Sequence, residues 1–426
     1  MCSSDLAVLV GIDGIQDSDI KDYTKYKIFD IEFEGPVKKG WDDFEKAQDP
    51  EQLKKENDQN LYLKLTSAGV KDTNNNGILE PEELMKAEGT LNLTNEIYPA
   101  TPDISMLKDL GPGVNTLYLN GNQIESIPEG VFDNMTNLTV LYIAGNKFNS
   151  LPENIFKNNS NLLELDLASN SIQNLSSKTF EPLKELTILD LSSSGYQSLP
   201  EDLLKYNTNL QEIYLYDNEL KSIPENFFAD KKYLRDVHLT GNMLTKLPDS
   251  LSKCRRLNKL WAYENKIKEI PESLTNLKHL CNIDLSNNLI SKVPEKFWIQ
   301  ISTNVKNHGD TESKLDVSNN LISDIPFEKM AKAGSKKFVK IDVSRNLLRS
   351  DIDDAYKQVL ESVGIVLSND NKNCYQPQKT VIDAKATAAK GKIVLTQDLD
   401  MVEAGIWITT EGVSETPALP DKGSFP

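Results

Sequence analysis

From Leu117 onward the chain repeats itself every 23 or 24 residues, and few folds are compatible with such a period. The blocks read LYLNGN, LYIAGN, LDLASN, LDLSSS, IYLYDN, VHLTGN, LWAYEN, IDLSNN, LDVSNN and IDVSRN. Their last residues are Asn122, Asn146, Asn170, Ser194, Asn218, Asn242, Asn265, Asn288, Asn320 and Asn346, spaced by 24, 24, 24, 24, 24, 23, 23, 32 and 26. A fixed period of this length predicts stacked units that bury a core only against their neighbours. Within each block, apolar residues alternate with outward-pointing ones, the period-2 pattern of a short strand. One strand per unit, stacked in parallel, gives a continuous sheet with strands about 4.8 Å apart.

The other fixed positions have mechanical reasons of their own. An asparagine amide can bond backbone groups left unpaired where the chain turns out of the strand, and Ser194 interrupts that column once. Six residues later comes proline, at Pro128, Pro152, Pro200, Pro224, Pro248, Pro271, Pro294 and Pro326. Its fixed φ suits an extended return path that needs no donor. Phe132, Phe156, Phe180, Leu204 and Phe228 form a large apolar column expected on the wider, convex side. Over residues 113–350 this pattern resembles the leucine-rich-repeat family in its 23- and 24-residue form. The resemblance implies an α/β solenoid, a horseshoe of about ten repeats with a parallel concave β-sheet. Ala262 departs from it in place of a core leucine. About eight extra residues near IQISTNVKNHGDTESK fall in the 32-residue step, where an insertion is expected to bulge and leave the stacking intact.

The chain has 426 residues and a formal charge of −17, with 38% hydrophobic residues. That charge argues against nucleic acid, whose phosphates call for clustered Lys and Arg, and suits cation binding or a basic partner. Four cysteines, Cys2, Cys254, Cys281 and Cys374, show no paired spacing, so neither a disulfide framework nor a zinc site is expected. Cys254 and Cys281 are read as free thiols. No stretch approaches the roughly 20 apolar residues of a membrane helix. Met1 to Leu6 reads as a translated sequencing adapter or, alternatively, as the Cys2-led start of a lipoprotein, and the fold is considered from residue 7.

Ahead of the repeats, residues 72–83 read DTNNNGILEPEE and match the twelve-position EF-hand loop without a gap. Asp72, Asn74 and Asn76 supply oxygens at the first, third and fifth positions, and Gly77 permits the sharp turn. Ile78 offers a carbonyl, Glu80 acts through water and Glu83 is the bidentate ligand for Ca2+. Pro81 opens an exit helix. On the other side, Gly69 in TSAGVK disfavours a normal entering helix, so a lone loop of modest charge is expected. GTLNLTNEI then starts the solenoid edge, which needs a cover; calcium is expected to rigidify that N-terminal cap.

The first outward strand position runs Tyr118, Tyr142, Asp166, Asp190, Tyr214, His238, Trp261, Asp284, Asp316, Asp342, and the next adds Tyr216 and Tyr263. Tyr214, Tyr216, His238, Trp261 and Tyr263 cluster on three strands as a candidate patch for a protein or glycan partner. The aspartates are expected to be a solvated face. With only His238, His279 and His308, and no nucleophile motif or phosphate loop, an enzyme is not expected. Cys374 lacks the setting found in bacterial leucine-rich-repeat ubiquitin ligases.

Five regions follow: 7–70 of unassigned fold, 71–112 with the loop and N-terminal cap, the 113–350 solenoid, a 351–375 C-terminal cap, and a strand-rich 376–426. The combination resembles uncharacterised bacterial surface or secreted leucine-rich-repeat lipoproteins. It implies an extracytoplasmic, calcium-stabilised scaffold with a lipid anchor in the full-length protein; the alternative is an intracellular scaffold or host-directed bacterial effector.

Overall fold

A computed structural model of the protein describes residues 50–94, 102–303, 313–333, 339–348, 361, 365–368, 386–389, 392–395 and 424–425. Expectations for residues 7–49, Cys2, His308, Cys374 and all but residues 361 and 365–368 of the 351–375 cap lie outside them. Twelve parallel strands follow in chain order across one open sheet: β1 (Gly89–Asn92), β2 (Val114–Tyr118), β3 (Val140–Tyr142), β4 (Glu164–Asp166), β5 (Ile188–Asp190) and β6 (Glu212–Tyr214), then β7 (Asp236–His238), β8 (Lys259–Trp261), β9 (Asn282–Asp284), β10 (Ser313–Asp316), β11 (Val339–Asp342) and β12 (Ile365–Ser368). The ten blocks of the sequence are β2 to β11. GTLNLTNEI supplies β1, while β12 lies inside the stretch expected to be a cap alone. A separate antiparallel ladder joins Ala386–Ala389, Lys392–Leu395 and Ser424–Phe425.

Strands are short because each unit offers one inward apolar residue between two outward ones. Leu141, Leu165, Leu189, Ile213, Val237, Leu260 and Ile283 sit in register across β3 to β9, all buried. Phe132, Phe156, Phe180 and Phe228 fill the opposite wall, at most 1% exposed, with Phe132 and Phe156 stacked at 6.2 Å. Each such side chain contributes roughly 1.5–3 kcal/mol on burial. The extra residues before β10 fall after a helix, Glu295–Thr303, and Asp284 still pairs with Asp316 in register.

The asparagine column holds neighbouring units together. Asn146 shows the pattern: Nδ2 donates to the carbonyls of Leu119 (3.1 Å), Ile143 (2.9 Å) and Ala144 (3.1 Å). Its Oδ1 accepts the N–H of Asn122 (2.9 Å) and Ile124 (3.0 Å) from the unit before. At the interruption, Ser194 Oγ donates to Ser192 O and accepts the Asn170 N–H, and Asn218 Oδ1 takes the Ser194 and Tyr196 N–H groups. Asn170 Oδ1 is left buried without a donor.

A second regularity accompanies the ladder. The residue immediately before every ladder position has positive φ: Gly121, Gly145, Ser169, Ser193, Asp217, Gly241, Glu264, Asn287, Asn319 and Arg345. The left-handed conformation turns the chain out of the strand and aims the next side chain inward. Only three of the ten are glycine, so the remainder accept a strain of about 1 kcal/mol each, offset by the bonds the following residue makes.

The N-terminal end is covered. Helix α1 (Pro50–Ser67) contradicts the expectation that Gly69 disfavours an entering helix. Gly69 stands beyond the helix rather than inside it, at φ +102°. The Gly69 N–H bonds Thr66 O and the Val70 N–H bonds Leu65 O, both at 3.0 Å, a Schellman stop. Leu61 and Leu65 of α1 join the same buried cluster as Leu91 of β1 and Leu117 of β2. Lys64 Nζ reaches Asn122 Oδ1, the first ladder residue, at 2.6 Å, and its burial lowers its pKa to about 8. Asn57 exchanges two bonds with the Asp103 backbone. Gly113 is a close-approach position, where an added Cβ would lie 2.5 Å from Ala87 O.

Candidate functional site

The concave columns fall as the alternation requires. Tyr118, Tyr142, Asp166, Asp190, Tyr214, His238, Trp261, Asp284, Asp316 and Asp342 are paired strand to strand in unbroken register. Three of the patch residues form one stack: Tyr214 and His238 lie 4.4 Å apart at 24°, and His238 and Trp261 lie 6.1 Å apart at 23°. Tyr216 meets Tyr214 edge-on at 6.4 Å. Tyr263 lies two residues beyond Trp261, just past the end of β8, half-buried.

Polar groups fix the ladder of rings. The Tyr214 hydroxyl donates to Glu212 Oε2 at 2.8 Å, and burial together with that carboxylate raises its pKa. Arg235 pairs with Glu212 at 2.9 Å, while burial lowers the pKa of His238. Trp261 Nε1 is shut off from solvent without an acceptor, as is Thr240 Oγ1 on the neighbouring strand. An unmade bond to a buried donor costs roughly 1–3 kcal/mol, so the patch carries a local deficit, as Asn159, Asn170 and Asn207 do inside the solenoid. A second pair, Tyr118 and Tyr142, meets edge-on at 5.2 Å on β2 and β3.

The aspartate column has a local explanation that the sequence reading missed. Asp190, Asp284 and Asp316 each accept, through Oδ1, the N–H and hydroxyl of a serine two residues on. Asp166 accepts the Ala168 N–H instead, and burial, with Asp190 alongside, raises its pKa to about 6.

A furrow of about 1030 Å³, absent from the sequence reading, adjoins the aromatic stack where the chain enters β5 to β9. Tyr233, Arg235, Arg256, Lys259 and His279 help line it. Its signal was present in KKYLRD and KCRRLNK, basic runs within an acidic chain.

The loop expected to bind calcium links α1 to helix α2 (Pro81–Leu84). Asn75 at φ +57° and Gly77 at φ +79° curl it around Asp72, which accepts the Gly77 N–H at 2.8 Å and the Tyr62 hydroxyl at 3.0 Å. The amides of Asn74 and Asn76 converge on the Glu80 carboxylate, with Asn76 at 2.6 Å and Asn74 at 3.3 Å. Ile78 donates its N–H to Asn76 Oδ1. Glu83 binds Thr73 N–H and hydroxyl, both at 2.6 Å, and Glu80 N–H at 3.2 Å. Those bonds hold its pKa down at about 2. The donors are hard oxygens throughout and suit calcium in kind. Among the described residues no group of three or more His, Cys, Asp or Glu is placed to hold a metal ion, so any such site relies on the two amides and the Ile78 carbonyl.

Cys254 and Cys281 are both buried free thiols, and burial pushes the Cys254 pKa up to about 12. No helix among the described residues is long and apolar enough to cross a membrane.

The leucine-rich-repeat family model matches residues 112–154, 136–195 and 184–244. The fold is a leucine-rich-repeat solenoid. An internalin from Listeria monocytogenes has the same leucine-rich-repeat architecture, with a TM-score of 0.51 and 20% identity over 73% of this chain and 91% of its own. Toll of Drosophila, solved in complex with Spatzle, matches with a TM-score of 0.52 and 20% identity, over 67% of this chain and 41% of its own. At that identity the likeness is one of leucine-rich-repeat fold.

Proposed function

We propose that this protein is a non-enzymatic, extracytoplasmic scaffold that recognises a protein partner on its concave face, with calcium stabilising the N-terminal cap. The Tyr214–His238–Trp261 stack carries this reading, because a row of large rings on an open sheet, beside donors without acceptors, is the composition of a binding hot spot. The Toll neighbour, whose structure is of a complex with Spatzle, supports a protein rather than a glycan as partner.

Capture of candidate ligands on the wild type and on a Tyr214→Ala, Trp261→Ala double variant tests the site. Binding should be lost in the double variant and kept in Glu201→Ala, an exposed residue off the concave face. Equal binding to all three would remove the concave face as the site.

For the cap, Val70, Leu79 and Leu84 around the loop are buried in the same cluster as Leu91 of β1, so one ion ordering Asp72, Asn74, Asn76, Ile78, Glu80 and Glu83 would stiffen that end. Binding that favours the folded state raises stability by about 2.7 kcal/mol at a hundredfold excess over Kd. Titration calorimetry with calcium alone, and melting with and without chelator, give the answer. A millimolar Kd agrees with an extracytoplasmic setting, a submicromolar one favours the intracellular alternative, and an unchanged Tm on chelation ends the cap role.

A further inference from the structure

Tyr233, Arg256 and His279 hold equivalent places in three successive units, each one residue before the leucine that leads into a strand: Leu234, Leu257 and Leu280. All three line the furrow beside the aromatic stack. Two other cations there are already neutralised, Arg235 by Glu212 at 2.9 Å and Lys259 by the buried Asp236 at 3.0 Å. Arg256 is different. It is exposed, and no carboxylate among the described residues pairs with it; its guanidinium sits 5.0 Å from the centre of the Tyr233 ring. Lys232 Nζ lies 4.8 Å from the same ring.

A single tyrosine thus gathers two positive charges at one lip of the groove. Resting against a ring uses the face of a guanidinium and leaves its N–H edges, whose spacing matches the two oxygens of a carboxylate. The furrow's lining also holds three carboxylates, of which Glu212 and Asp236 are taken by Arg235 and Lys259 and Glu185 accepts the Asn209 amide, so the unmatched positive charge is at the Tyr233 lip, in a locally basic run. Residues 231–259 contain eight Lys and Arg against two Asp, in a chain whose net charge is −17. The adjoining rings add to it. His238 lies between Tyr214 and Trp261 and spends both faces on them, which leaves its ring edge, where the partial charge is positive.

We propose that this furrow receives an Asp- or Glu-rich segment of the partner protein, with Arg256 on its Tyr233 platform taking a carboxylate in bidentate fashion while the segment runs along the edges of the aromatic stack. The assignment rests on the reading of the concave face as a protein-binding surface. It gives that partner a chemistry: locally acidic, although the scaffold as a whole is acidic too, so that attraction is confined to this one stretch and like-charge repulsion acts everywhere else.

The test uses a short fluorescein-labelled peptide alternating Glu and Ser, its Gln counterpart, and chondroitin sulfate as an acidic glycan, followed by fluorescence anisotropy at low and high salt. The Glu peptide should bind, the Gln peptide should not, and salt should weaken the complex. Arg256→Gln should reduce affinity about tenfold, the loss of one charge-assisted contact. Lys296→Gln, which removes an equal charge outside the furrow, should leave it unchanged. Both positions are exposed, so folding is checked simply by circular dichroism. No binding of the Glu peptide, or equal binding to Arg256→Gln, overturns the proposal. So does tighter binding of chondroitin sulfate, which would make the furrow a glycan site, or self-association that Arg256→Gln abolishes, which would make the occupant a second acidic copy. If peptide binding fails while ligand capture still depends on Tyr214 and Trp261, the scaffold reading survives and only the acidic segment is lost.

Discussion

Two polar columns run through the same repeats and are spent differently. The asparagines from Asn122 to Asn346 lie inside, and their amides are shared out among the backbone groups of two adjacent units. The column from Tyr118 to Asp342 lies on the concave face a few residues away, with the same period and the same strand register. Its aspartates are half-committed to nearby serines, and its central rings leave Trp261 Nε1 without an acceptor. Periodicity alone therefore does not mark function. Both columns repeat, but the inner one spends its amides on the backbone of the chain itself, with Asn170 Oδ1 the exception.

The sharpest way to break this contrast is at the inner column. Asn242 Nδ2 donates to Leu215, Leu239 and Thr240 carbonyls, and its Oδ1 accepts from Leu220. Asn242→Leu should cost about 3 kcal/mol by leaving those groups buried and unpaired, read as a lower urea midpoint. A loss below about 1 kcal/mol would put the ladder on a par with the outer column. Trp261→Ala, at the outer column, should cost about 1.5 kcal/mol of stability, less than a core aromatic, while abolishing ligand capture; chemical unfolding and capture measured on the same variant separate the two effects.

Asp166 offers a pH-dependent version. Its folded pKa, about 6, lies above the ordinary 3.8, so the fold favours the protonated acid. Its contribution is most favourable below about pH 4 and is lost as pH rises through 6. Asp166→Asn should accordingly raise stability at pH 8 by about 1 kcal/mol, after allowance for partial exposure, and change nothing at pH 3.5. Melting curves at the two pH values check both halves. The smallest expected effect concerns the turns before the ladder. Glu264→Gly should stabilise by about 0.5 kcal/mol because φ is +56° there, a small rise in Tm that would be absent if the turn is unstrained.

Most of the solenoid was legible because alternation decides which residues face inward. Leu165 and Leu189 are buried, and Asp166 and Asp190 face outward, for no reason beyond that period. The left-handed turns were not legible, since Ser169, Glu264 and Arg345 carry no mark of positive φ and the requirement comes from the ladder that follows. Helix α1 was obscured by Gly69, which weighs against a helix when placed within it and ends one when placed just after. Strand β12, which pairs with β11, was hidden because IVLS lacks the asparagine signature. The furrow was written in KCRRLNK, but the total charge of −17 averaged its sign away, and only the stacking of successive units brings Arg256 over Tyr233.

The shared chemistry of the junctions, with Ser194 the one exception, has an architectural consequence. Because one unit greets the next through the same amide contacts whatever its outer residues, the joints do not distinguish among neighbours. Whole units are then interchangeable parts: excising one 24-residue segment should reseal with its register intact and move the aromatic stack nearer the cap by a single strand spacing, about 4.8 Å. In such a molecule, the distance between the end cover and the binding face is a length that evolution, or an engineer, can set in discrete steps.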